Sequence, residues 1–419
     1  MKPFDYRDGR LCAERVPIDR IAAGVGTPCY VYSRRRIEDN WRAYDEAFGD
    51  HPHLICYAVK ANGTLAVLNV LAGLGSGFDI VSGGELRRVE LAGGDLSKVV
   101  FSGVGKTRAE IEAAVAAGIA CIDVESISEI DRVAGAAARL GRTAPLALRV
   151  NPDVDPNTHP YIATGLRTAK FGIGVDEALQ AYQYAAGKPG IDVRGVACHI
   201  GSQLLDTAPL LDAFRRLLDL VEALAERGIE IRHIDAGGGL GIGVSGGPGP
   251  DKREWIGAML AIMRERGQRL ELYIEPGRSV VGDAGILLTR VEYLKTNGGK
   301  HFAVVDAGMN DLLRPALYQA LHGMLTVSEA PRTPERLYDV VGPVCESADV
   351  LGTDRRLSLE VGDLVAITDS GAYGSVMASN YNARPRPAEV MVDGDRFHLV
   401  RRRETIEDMT DSEELVPGE

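Results

Sequence analysis

The chain has 419 residues, 45% of them hydrophobic and 25% charged, which is typical of a globular protein with room for two domains. Its formal net charge of −12 argues against a surface for nucleic acids or anionic membranes. No apolar run approaches the ~20 residues that span a bilayer, and the first residues contain no hydrophobic signal core, so we expect a cytoplasmic protein.

Short β-rich runs alternate with helix-length stretches through the first two-thirds of the chain. Each of these runs is followed by room for a helix, and they lie at 54–60, 78–82, 99–102, 121–125, 146–151, 196–200, 233–236 and 272–275. The alternation predicts a (β/α)8 TIM-type barrel over residues 36–281, with a doubly wound open sheet as the alternative. Nearly every run ends in a polar residue or glycine, and only a barrel brings all of these ends to one face. The barrel is therefore favoured.

Lys60 ends the first predicted strand, in the run LICYAVKAN. An amine at the end of a buried strand is expected in an apolar surround, which disfavours its charged form and lowers its pKa. Such a lysine is a nucleophile suited to forming Schiff bases with carbonyl compounds. The alternative is a lysine whose stem packs on the core while its ammonium reaches water.

Two glycine-containing loops follow the last two predicted strands, GGGLGIG at 237–243 and EPGR at 275–278. Consecutive backbone N–H groups form anion-binding concavities, and barrels often bind phosphate after strands seven and eight. With Lys60, these loops predict pyridoxal 5'-phosphate, whose ring nitrogen Glu275 would keep protonated and on whose ring His199 would stack. A flexible turn, a dinucleotide fingerprint and a hydrogen-bonded histidine remain the alternatives.

The character of the sequence changes after residue 282. The remaining segments are β-rich, with one helical stretch at 309–324, and Asp393-Gly394 predicts a tight hairpin turn. We expect a C-terminal all-β domain over 282–419, a Greek-key-like barrel or sandwich, with the N-terminal segment 1–35 pairing with it. The acidic tail from Thr405 is expected to be frayed. The cysteines are too widely spaced for CxxC pairs, so no metal site is expected.

The chain resembles the diaminopimelate decarboxylases, a family of alanine-racemase-like, fold-type III pyridoxal-phosphate enzymes, over nearly its whole length. The resemblance rests on YAVKAN (57–62), FDIVSGGEL (78–86), FSGVGKT (101–107), RVNPDVD (149–155), HPYIATGL (159–166), KFGI (170–173), CHIGSQ (198–203), GGGLG (237–241), EPGRS (275–279), DAGMNDLLRPALY (306–318), GPVCES (342–347) and SGAYG (370–374). It implies decarboxylation of meso-2,6-diaminopimelate to L-lysine and CO2, the last step of lysine biosynthesis, by a homodimer with shared active sites.

The resemblance also implies roles for individual residues. Lys60 matches the lysine that binds the cofactor covalently, His199 the histidine stacked on its ring, with Ser202 nearby, and Glu275 the partner of the pyridine nitrogen. The phosphate loops match Gly238, Gly239, Gly277 and Arg278. The substrate-binding residues match Arg278, Arg314, Tyr318 and Tyr373, the last of which also lies at the cofactor. Cys345 and Glu346 match a pair that the β domain supplies across the dimer interface, with Cys345 as the candidate proton donor.

Substrate choice has a physical basis, because diaminopimelate carries a carboxylate and an ammonium at its distal end. An arginine suits the carboxylate through a bidentate contact, and Glu346 suits the ammonium. The related enzymes that act on ornithine or lysine typically have Asp after the equivalent cysteine. The alternatives are such a decarboxylase, one acting on carboxynorspermidine or a D-amino acid, a racemase, a non-catalytic cofactor carrier and a cofactor-free Schiff-base aldolase.

Each of these residues also has a structural interpretation. In isolation, Cys345 would be an inert thiol, and Arg278 and Arg314 would form surface ion pairs. Asp79 and Ser82 are expected to cap the helix that follows them. No role is assigned to the mouth residues Glu125, Arg149 and Asn151.

Overall fold

The computed structural model describes residues 2–155, 164–165, 169–244, 247–329 and 333–416. The HPYIATGL motif at 159–166 lies outside these residues except for Thr164 and Gly165. The chain divides into two compact units, one made of Ile37–Gly243 and Pro248–Val280, the other of Met1–Arg36, Val244–Gly247 and Val281–Glu419. Within the described residues, no helix is both long and apolar enough to cross a membrane.

The N-terminal residues form short elements before the barrel begins. They are β1 Phe4–Arg7, β2 Arg10–Ala13, β3 Val16–Pro17, α1 Ile18–Val25, β4 Cys29–Ser33 and α2 Arg34–Phe48. Strands β1, β2 and β3 form a three-stranded antiparallel sheet. The barrel unit begins at Ile37, within α2. In the part of α2 that belongs to this unit, the Tyr44 ring lies edge-on to Trp255, with 6.3 Å between the ring centroids.

The barrel is a closed ring of eight parallel strands. Its strands, together with the two-residue β10 that pairs with β9, are β5 His53–Ala58, β6 Gly77–Ile80, β7 Val99–Phe101, β8 Cys121–Val124, β9 Ala144–Asn151, β10 Ile173–Gly174, β11 Ile191–Ala197, β12 His233–Asp235 and β13 Glu271–Ile274. The ring closes because β13 pairs with β5 while β8 and β9 pair on the opposite side. Closure confirms the TIM-type barrel and excludes the open sheet.

Helices connect successive strands and cover the barrel. They are α3 Leu65–Gly73, α4 Gly83–Leu91, α5 Arg108–Ala117, α6 Ile127–Leu140, α7 Val175–Ala186, α8 Ala208–Ala225 and α9 Lys252–Glu265. Side-chain caps start several of them: Ser82 accepts from the backbone N–H of Glu85, and Thr107 forms a capping box with Glu110. Each cap accepts a backbone N–H that the helix itself leaves unsatisfied.

The second unit contains the rest of the chain. After α10 Arg278–Val281 come β14 Gly285–Asn297, β15 Lys300–Val305, α11 Arg314–Tyr318, β16 Met324–Thr326, β17 Arg336–Val341, β18 Val350–Leu357, β19 Leu364–Ile367, β20 Ala388–Asp393, β21 Arg396–Arg401 and α12 Ile406–Thr410. The strand order is β18-β17-β15-β14-β4-β20-β21, with β19 and β16 branching from β14. Two pairings, β15–β17 and β4–β20, are parallel. The expected C-terminal β domain is therefore a mixed sheet.

The N-terminal segment is part of the second unit's sheet. Strand β4 lies between β14 and β20, so residues far apart in sequence share one hydrophobic core. That core includes Leu11, Ile18, Val31, Leu288 and Val390, all fully buried. Burial of this apolar surface is the main free-energy contribution that joins the two ends of the chain.

Several boundaries differ from the sequence-based expectations. The first barrel strand ends at Ala58, and Lys60 lies in a 3-10 turn, Val59–Ala61. The helical stretch expected at 309–324 is helical only over Arg314–Tyr318. The acidic tail is not frayed at its start, because Thr405 and Asp408 form a capping box for α12. Short-range capping therefore outweighs the high charge of this segment.

Lys106 provides a test of what stabilises the barrel wall. Its side chain is 0% exposed and pairs with Glu129 Oε1 at 2.8 Å, while Nζ also donates to the carbonyls of Gly103 and Asp123. Lys106→Met would leave the Glu129 carboxylate buried without its cation, so we expect a loss of ~3–5 kcal/mol in the free energy of unfolding.

The matched control is Lys188→Met, which breaks the surface pair between Lys188 and Asp131. Water screens exposed pairs and they contribute little, so this variant should unfold at nearly the same denaturant concentration as the unsubstituted protein. Equal unfolding midpoints for the two variants would show that Lys106 is not a structural anchor.

Candidate active site

Lys60 lies at the carboxyl-terminal end of the barrel, in the turn directly after β5. Its side chain is 32% exposed, and Nζ donates a hydrogen bond of 2.5 Å to Oδ2 of Asp79, which lies on β6 and is 0% exposed. The expected apolar surround is therefore wrong, because the amine is hydrogen-bonded to a buried carboxylate. The expected helix cap at Asp79 is also wrong, because the N-cap of α4 is Ser82, whose side chain accepts from the backbone N–H of Glu85.

A cluster of buried carboxyl groups lies inside the barrel beside this pair. Oxygen atoms of Asp123 on β8, Asp235 on β12 and Glu275 after β13 all lie within 4.8 Å of one another, and all three residues are buried. Burial raises the pKa of Asp235 to about 7. Burial, followed by the charge of neighbouring aspartates, raises the pKa of Asp123 and Glu275 well above the usual range. Burial therefore favours the protonated form of these three carboxyl groups.

Glu275 is oriented by contacts from two strand ends. Ser102, which follows β7, donates from Oγ to Glu275 Oε1 at 3.0 Å, and the Glu275 backbone N–H donates to the carbonyl of Gly237 at 2.8 Å. A cationic ring nitrogen beside Glu275 would favour release of the proton that burial otherwise keeps on these carboxyl groups, because a carboxylate attracts the opposite charge. The donor set therefore fits the predicted cofactor: an amine for its aldehyde and an acid for its nitrogen.

The glycine turn after β12 is pressed between neighbouring strand ends. A Cβ atom at Gly237, which has φ +69°, would lie 2.2 Å from the carbonyl oxygen of Cys198, and a Cβ at Gly238 would lie 2.1 Å from that of Glu275. Any other residue would displace this backbone. A Cβ at Gly277 would lie 2.9 Å from Ala61 Cβ, which places the EPGR loop beside the turn that carries Lys60.

The loops that carry the predicted phosphate residues are linked along this rim. Arg278 Nη2 donates to Ser202 Oγ at 3.2 Å, and the carbonyl of Gly239 accepts from the backbone N–H of Leu204 at 3.0 Å. The loops after β11, β12 and β13 thus meet, and the Pro276 carbonyl accepts from Ala58 N–H at 3.1 Å next to the lysine turn. The predicted barrel fold implied that these loops, which follow the carboxyl ends of the strands, would meet on one face.

His199 is held by a hydrogen bond within the same rim. Its Nδ1 accepts from the backbone N–H of Gly238 at 3.2 Å. Desolvation, followed by the positive charges of Arg149 and Lys60, lowers its pKa well below the usual value. The ring is therefore a neutral imidazole with its proton on Nε2. The hydrogen-bonded alternative is present, and it leaves a flat, uncharged ring suited to stacking.

The mouth residues without a predicted role form a network. Arg149 Nη1 contacts Glu125 Oε1 at 3.1 Å, and its guanidinium lies 4.8 Å from the ring centroid of Phe171. Glu125 also accepts from the backbone N–H groups of Gly103 and Gly172. This buried pair joins the loops after β7 and β9 to the strand ends. Their position at strand ends was the available signal.

Arg314 in the second unit lies among aromatic rings. Its guanidinium is 5.4 Å from the ring centroid of Tyr318 and 5.9 Å from that of Tyr373, and the residue is buried. Burial lowers its pKa. Among the carboxylates of the described residues, none forms an ion pair with Arg314. The structure thus brings together three of the predicted substrate residues and disagrees with the surface ion pair as an alternative.

Cys345 and Glu346 lie on the turn between β17 and β18. Cys345 is an exposed free thiol, and its backbone N–H donates to Asn382 Oδ1 at 3.2 Å. The hydroxyl of Tyr381 donates to Glu346 Oε1 at 2.7 Å. Neither Tyr381 nor Asn382 was predicted as a site residue. Within this unit, the pair is accessible rather than buried.

A (β/α)8 barrel with a lysine, a buried acid and a glycine turn on one rim defines a pyridoxal-phosphate enzyme of the barrel type. The family model "Pyridoxal-dependent decarboxylase, pyridoxal binding domain" matches residues 34–282. Diaminopimelate decarboxylases of Pseudomonas aeruginosa and Vibrio cholerae are 56% and 54% identical over 419 residues, all of each chain. The crystal structure of diaminopimelate decarboxylase from M. jannaschii in co-complex with L-lysine has TM-score 0.93 and 39% identity, covering 99% of this chain and 98% of its own. The chain therefore belongs to the diaminopimelate decarboxylase family.

The acidic cluster generates a pH prediction for the cofactor-free protein. Asp235 has a pKa of about 7 when folded against an ordinary value of 3.8, so between these values the native state holds a proton that the unfolded chain releases. The contribution of the Asp235 proton to the free energy of unfolding is complete below pH ~4 and is lost as pH rises through 7. Asp235→Asn should reduce the fall in unfolding free energy between pH 5 and pH 8 by roughly 2 kcal/mol.

Thermal or denaturant unfolding at the two pH values measures this difference, with Asp212→Asn on the surface of α8 as the control. His233, whose folded pKa is about 3, acts with the opposite sign below its ordinary value of 6.5 and is present in both variants. An unchanged pH dependence in Asp235→Asn would mean that this carboxyl is ionised in the folded protein.

Proposed function

We propose that the protein decarboxylates meso-2,6-diaminopimelate to L-lysine and CO2 with pyridoxal 5'-phosphate, as the last step of lysine biosynthesis in the cytoplasm. One observation in the structure carries the substrate assignment: the buried guanidinium of Arg314, lined by Tyr318 and Tyr373 and without a carboxylate partner among the described residues. Such a site gains most from an anionic group on the ligand. The full-length relatives that are diaminopimelate decarboxylases support the same assignment.

The barrel residues would hold the cofactor at defined positions. Lys60 Nζ would bind its aldehyde carbon, Glu275 its ring nitrogen, and the loops with Gly238, Gly239, Gly277 and Arg278 its phosphate, with Ser202 as a further cofactor contact. The neutral His199 ring would lie against the cofactor ring. When bound, the cofactor supplies an electron sink for the electron pair that remains on the substrate carbon as CO2 leaves.

The chain's own groups manage protons around that centre. Asp79 Oδ2 is placed to accept a proton from Lys60 Nζ, to which it is already hydrogen-bonded. Burial and the neighbouring acidic groups disfavour the unprotonated carboxylate of Glu275, so a proton would remain between this carboxyl group and the ring nitrogen of the cofactor. Cys345 Sγ is the candidate that protonates the carbon that has lost its carboxylate, with Lys60 or water as the alternatives.

Recognition of the distal end of the substrate would use opposite charges. Arg314 would bind the distal carboxylate and Glu346 the distal ammonium, with Arg278, Tyr318 and Tyr373 as further contacts. Ornithine and lysine lack the distal carboxylate, so their binding would leave the Arg314 charge buried and unpaired. This penalty disfavours the alternative of a decarboxylase for diamine precursors.

We propose a homodimer in which each active site combines the barrel of one subunit with Cys345 and Glu346 of the other. Two observations support this assignment. The family resemblance implies active sites that are shared between two subunits. In addition, Cys345 is an exposed thiol on a turn where Glu346 is also exposed. The second unit would then contribute both substrate and interface residues.

Arg314→Met tests the substrate assignment. Removing the cation should raise the activation free energy that corresponds to kcat/KM for meso-diaminopimelate by ~2–5 kcal/mol, mostly through KM, without creating turnover of lysine or ornithine. Arg290→Met is the control, because Arg290 is only partly buried and donates to the carbonyl of Gly362 in the same unit. Unchanged kcat/KM in Arg314→Met, or lysine turnover by the unsubstituted enzyme above its diaminopimelate turnover, would contradict the assignment.

Mixing two defective variants tests the shared site. Lys60→Ala and Cys345→Ala should each be impaired alone, because one lacks the cofactor lysine and the other the candidate proton donor. Mixed and allowed to exchange subunits, they should recover about a quarter of full activity, since about half of the dimers are heterodimers with one intact site. Mixing variants that affect the same subunit's barrel, Lys60→Ala with Glu275→Ala, is the control. No recovery in the first mixture would indicate sites built within one subunit.

A further inference from the structure

Tyr381 and Asn382, which are adjacent in the sequence, contact the adjacent residues Cys345 and Glu346. Tyr381 donates from its hydroxyl to Glu346 Oε1 at 2.7 Å, and Asn382 Oδ1 accepts from the backbone N–H of Cys345 at 3.2 Å. One contact fixes a side chain and the other fixes the backbone. Neither residue has a role in the proposed reaction so far.

The segment that carries them is itself anchored. The backbone N–H of Ser379 donates to the carbonyl of Asn310 at 2.9 Å, and Asn380 Nδ2 donates to Glu404 Oε2 at 2.7 Å. Asn382 has φ +54°, a left-handed conformation that asparagine tolerates better than most residues. Tyr381 and Asn382 therefore project from a braced segment.

The opposite side of the Cys345 turn is held by a separate group. Asp349 accepts from the backbone N–H of Val344 at 2.7 Å and from that of Met309 at 2.6 Å. This carboxylate fixes the path of the turn but does not contact the Glu346 side chain. Among the described residues, the side chain that donates a hydrogen bond to the Glu346 carboxylate is that of Tyr381.

Packing does not account for Tyr381. It is 44% exposed, so its ring contributes little to a core, and its hydrogen bond is the specific contact that it makes with Glu346. A carboxylate has about four acceptor positions on two oxygens. One bond from Tyr381 restricts the carboxylate and leaves its remaining acceptor positions for a cationic ligand group.

We propose that Tyr381 and Asn382 are positioning residues for the shared pair, a role that rests on the proposed function. Tyr381 aims the Glu346 carboxylate at the distal ammonium of diaminopimelate and so determines specificity for that group. Asn382 fixes the backbone of Cys345, and hence the position from which its thiol acts. The two contacts are therefore expected to affect different kinetic parameters.

The test for Tyr381 compares two ligands that differ only in the distal ammonium. D-2-aminopimelate retains the reacting amino acid and the distal carboxylate but lacks the second amino group. In Tyr381→Phe, we expect kcat/KM for meso-diaminopimelate to fall roughly tenfold, through KM. The competitive inhibition constant of D-2-aminopimelate should change by less than about twofold, because that ligand makes no contact with Glu346.

Tyr184→Phe is the matched control, because Tyr184 is also an exposed tyrosine whose hydroxyl donates to a carboxylate, Asp131, at 2.8 Å on the barrel unit. It should leave both constants unchanged. In a Glu346→Gln background, Tyr381→Phe should cause a smaller additional loss than it does alone, because the two residues act as a unit. Equal losses for both ligands in Tyr381→Phe would reduce Tyr381 to a structural residue and overturn its assignment.

Asn382→Gly tests the second contact, since glycine accepts the left-handed backbone and removes only the side-chain acceptor. We expect kcat to fall several-fold while the ratio of diaminopimelate to D-2-aminopimelate affinity stays constant. A fall in that ratio with unchanged kcat would overturn the assignment for Asn382. If the unsubstituted enzyme releases no CO2 from meso-diaminopimelate, the proposed function itself fails, a result separate from either variant's outcome.

Discussion

Burial of acidic groups within the barrel is the constraint on which the site depends. Parallel strands bring Asp79, Asp123, Asp235 and Glu275 to one interior region, where water cannot screen them. Such groups are tolerated only if they keep protons or face a cation. Lys60 supplies one cation at the edge of the cluster. A protonated ring nitrogen next to Glu275 would supply another, so the charge balance of the fold and the proposed cofactor are complementary.

The walls of the site are fixed by a second chain of charged groups. Lys106 pairs with Glu129, whose other oxygen accepts from the backbone N–H of Glu125 at 2.7 Å. Glu125 in turn pairs with Arg149, and Arg149 Nη2 lies 3.4 Å from the carbonyl of His199. Buried pairs of this kind contribute little net stability, but they specify where loops lie because either partner alone is costly. The rim is therefore held by charge as well as by backbone pairing.

The sequence predicts the barrel and its rim because periodicity and strand-end residues are local signals. Lys60, Glu275 and the glycine turn all follow directly from strands, so their convergence follows from closure. The contact between Lys60 and Asp79 does not follow from closure. Asp79 lies three residues before the helix cap Ser82, so the sequence suggests a capping role and gives no signal for the hydrogen bond to Lys60. Tyr381 and Asn382 are 35 or more residues from the turn that they contact, and no period links them. The roles of the site residues in catalysis stay predictions.

Selectivity in the proposed reaction follows from where desolvation takes place. Arg314 is buried among tyrosines when the chain folds, so most of its desolvation cost is incurred before any ligand binds. A ligand with a carboxylate then gains a strong charge interaction, whereas one without it recovers nothing. Glu346 differs, because it lies on an exposed turn and one hydrogen bond orients it. Rejection of ligands without the distal carboxylate should therefore be stricter than rejection of ligands without the distal ammonium, since only the first leaves a buried charge unpaired.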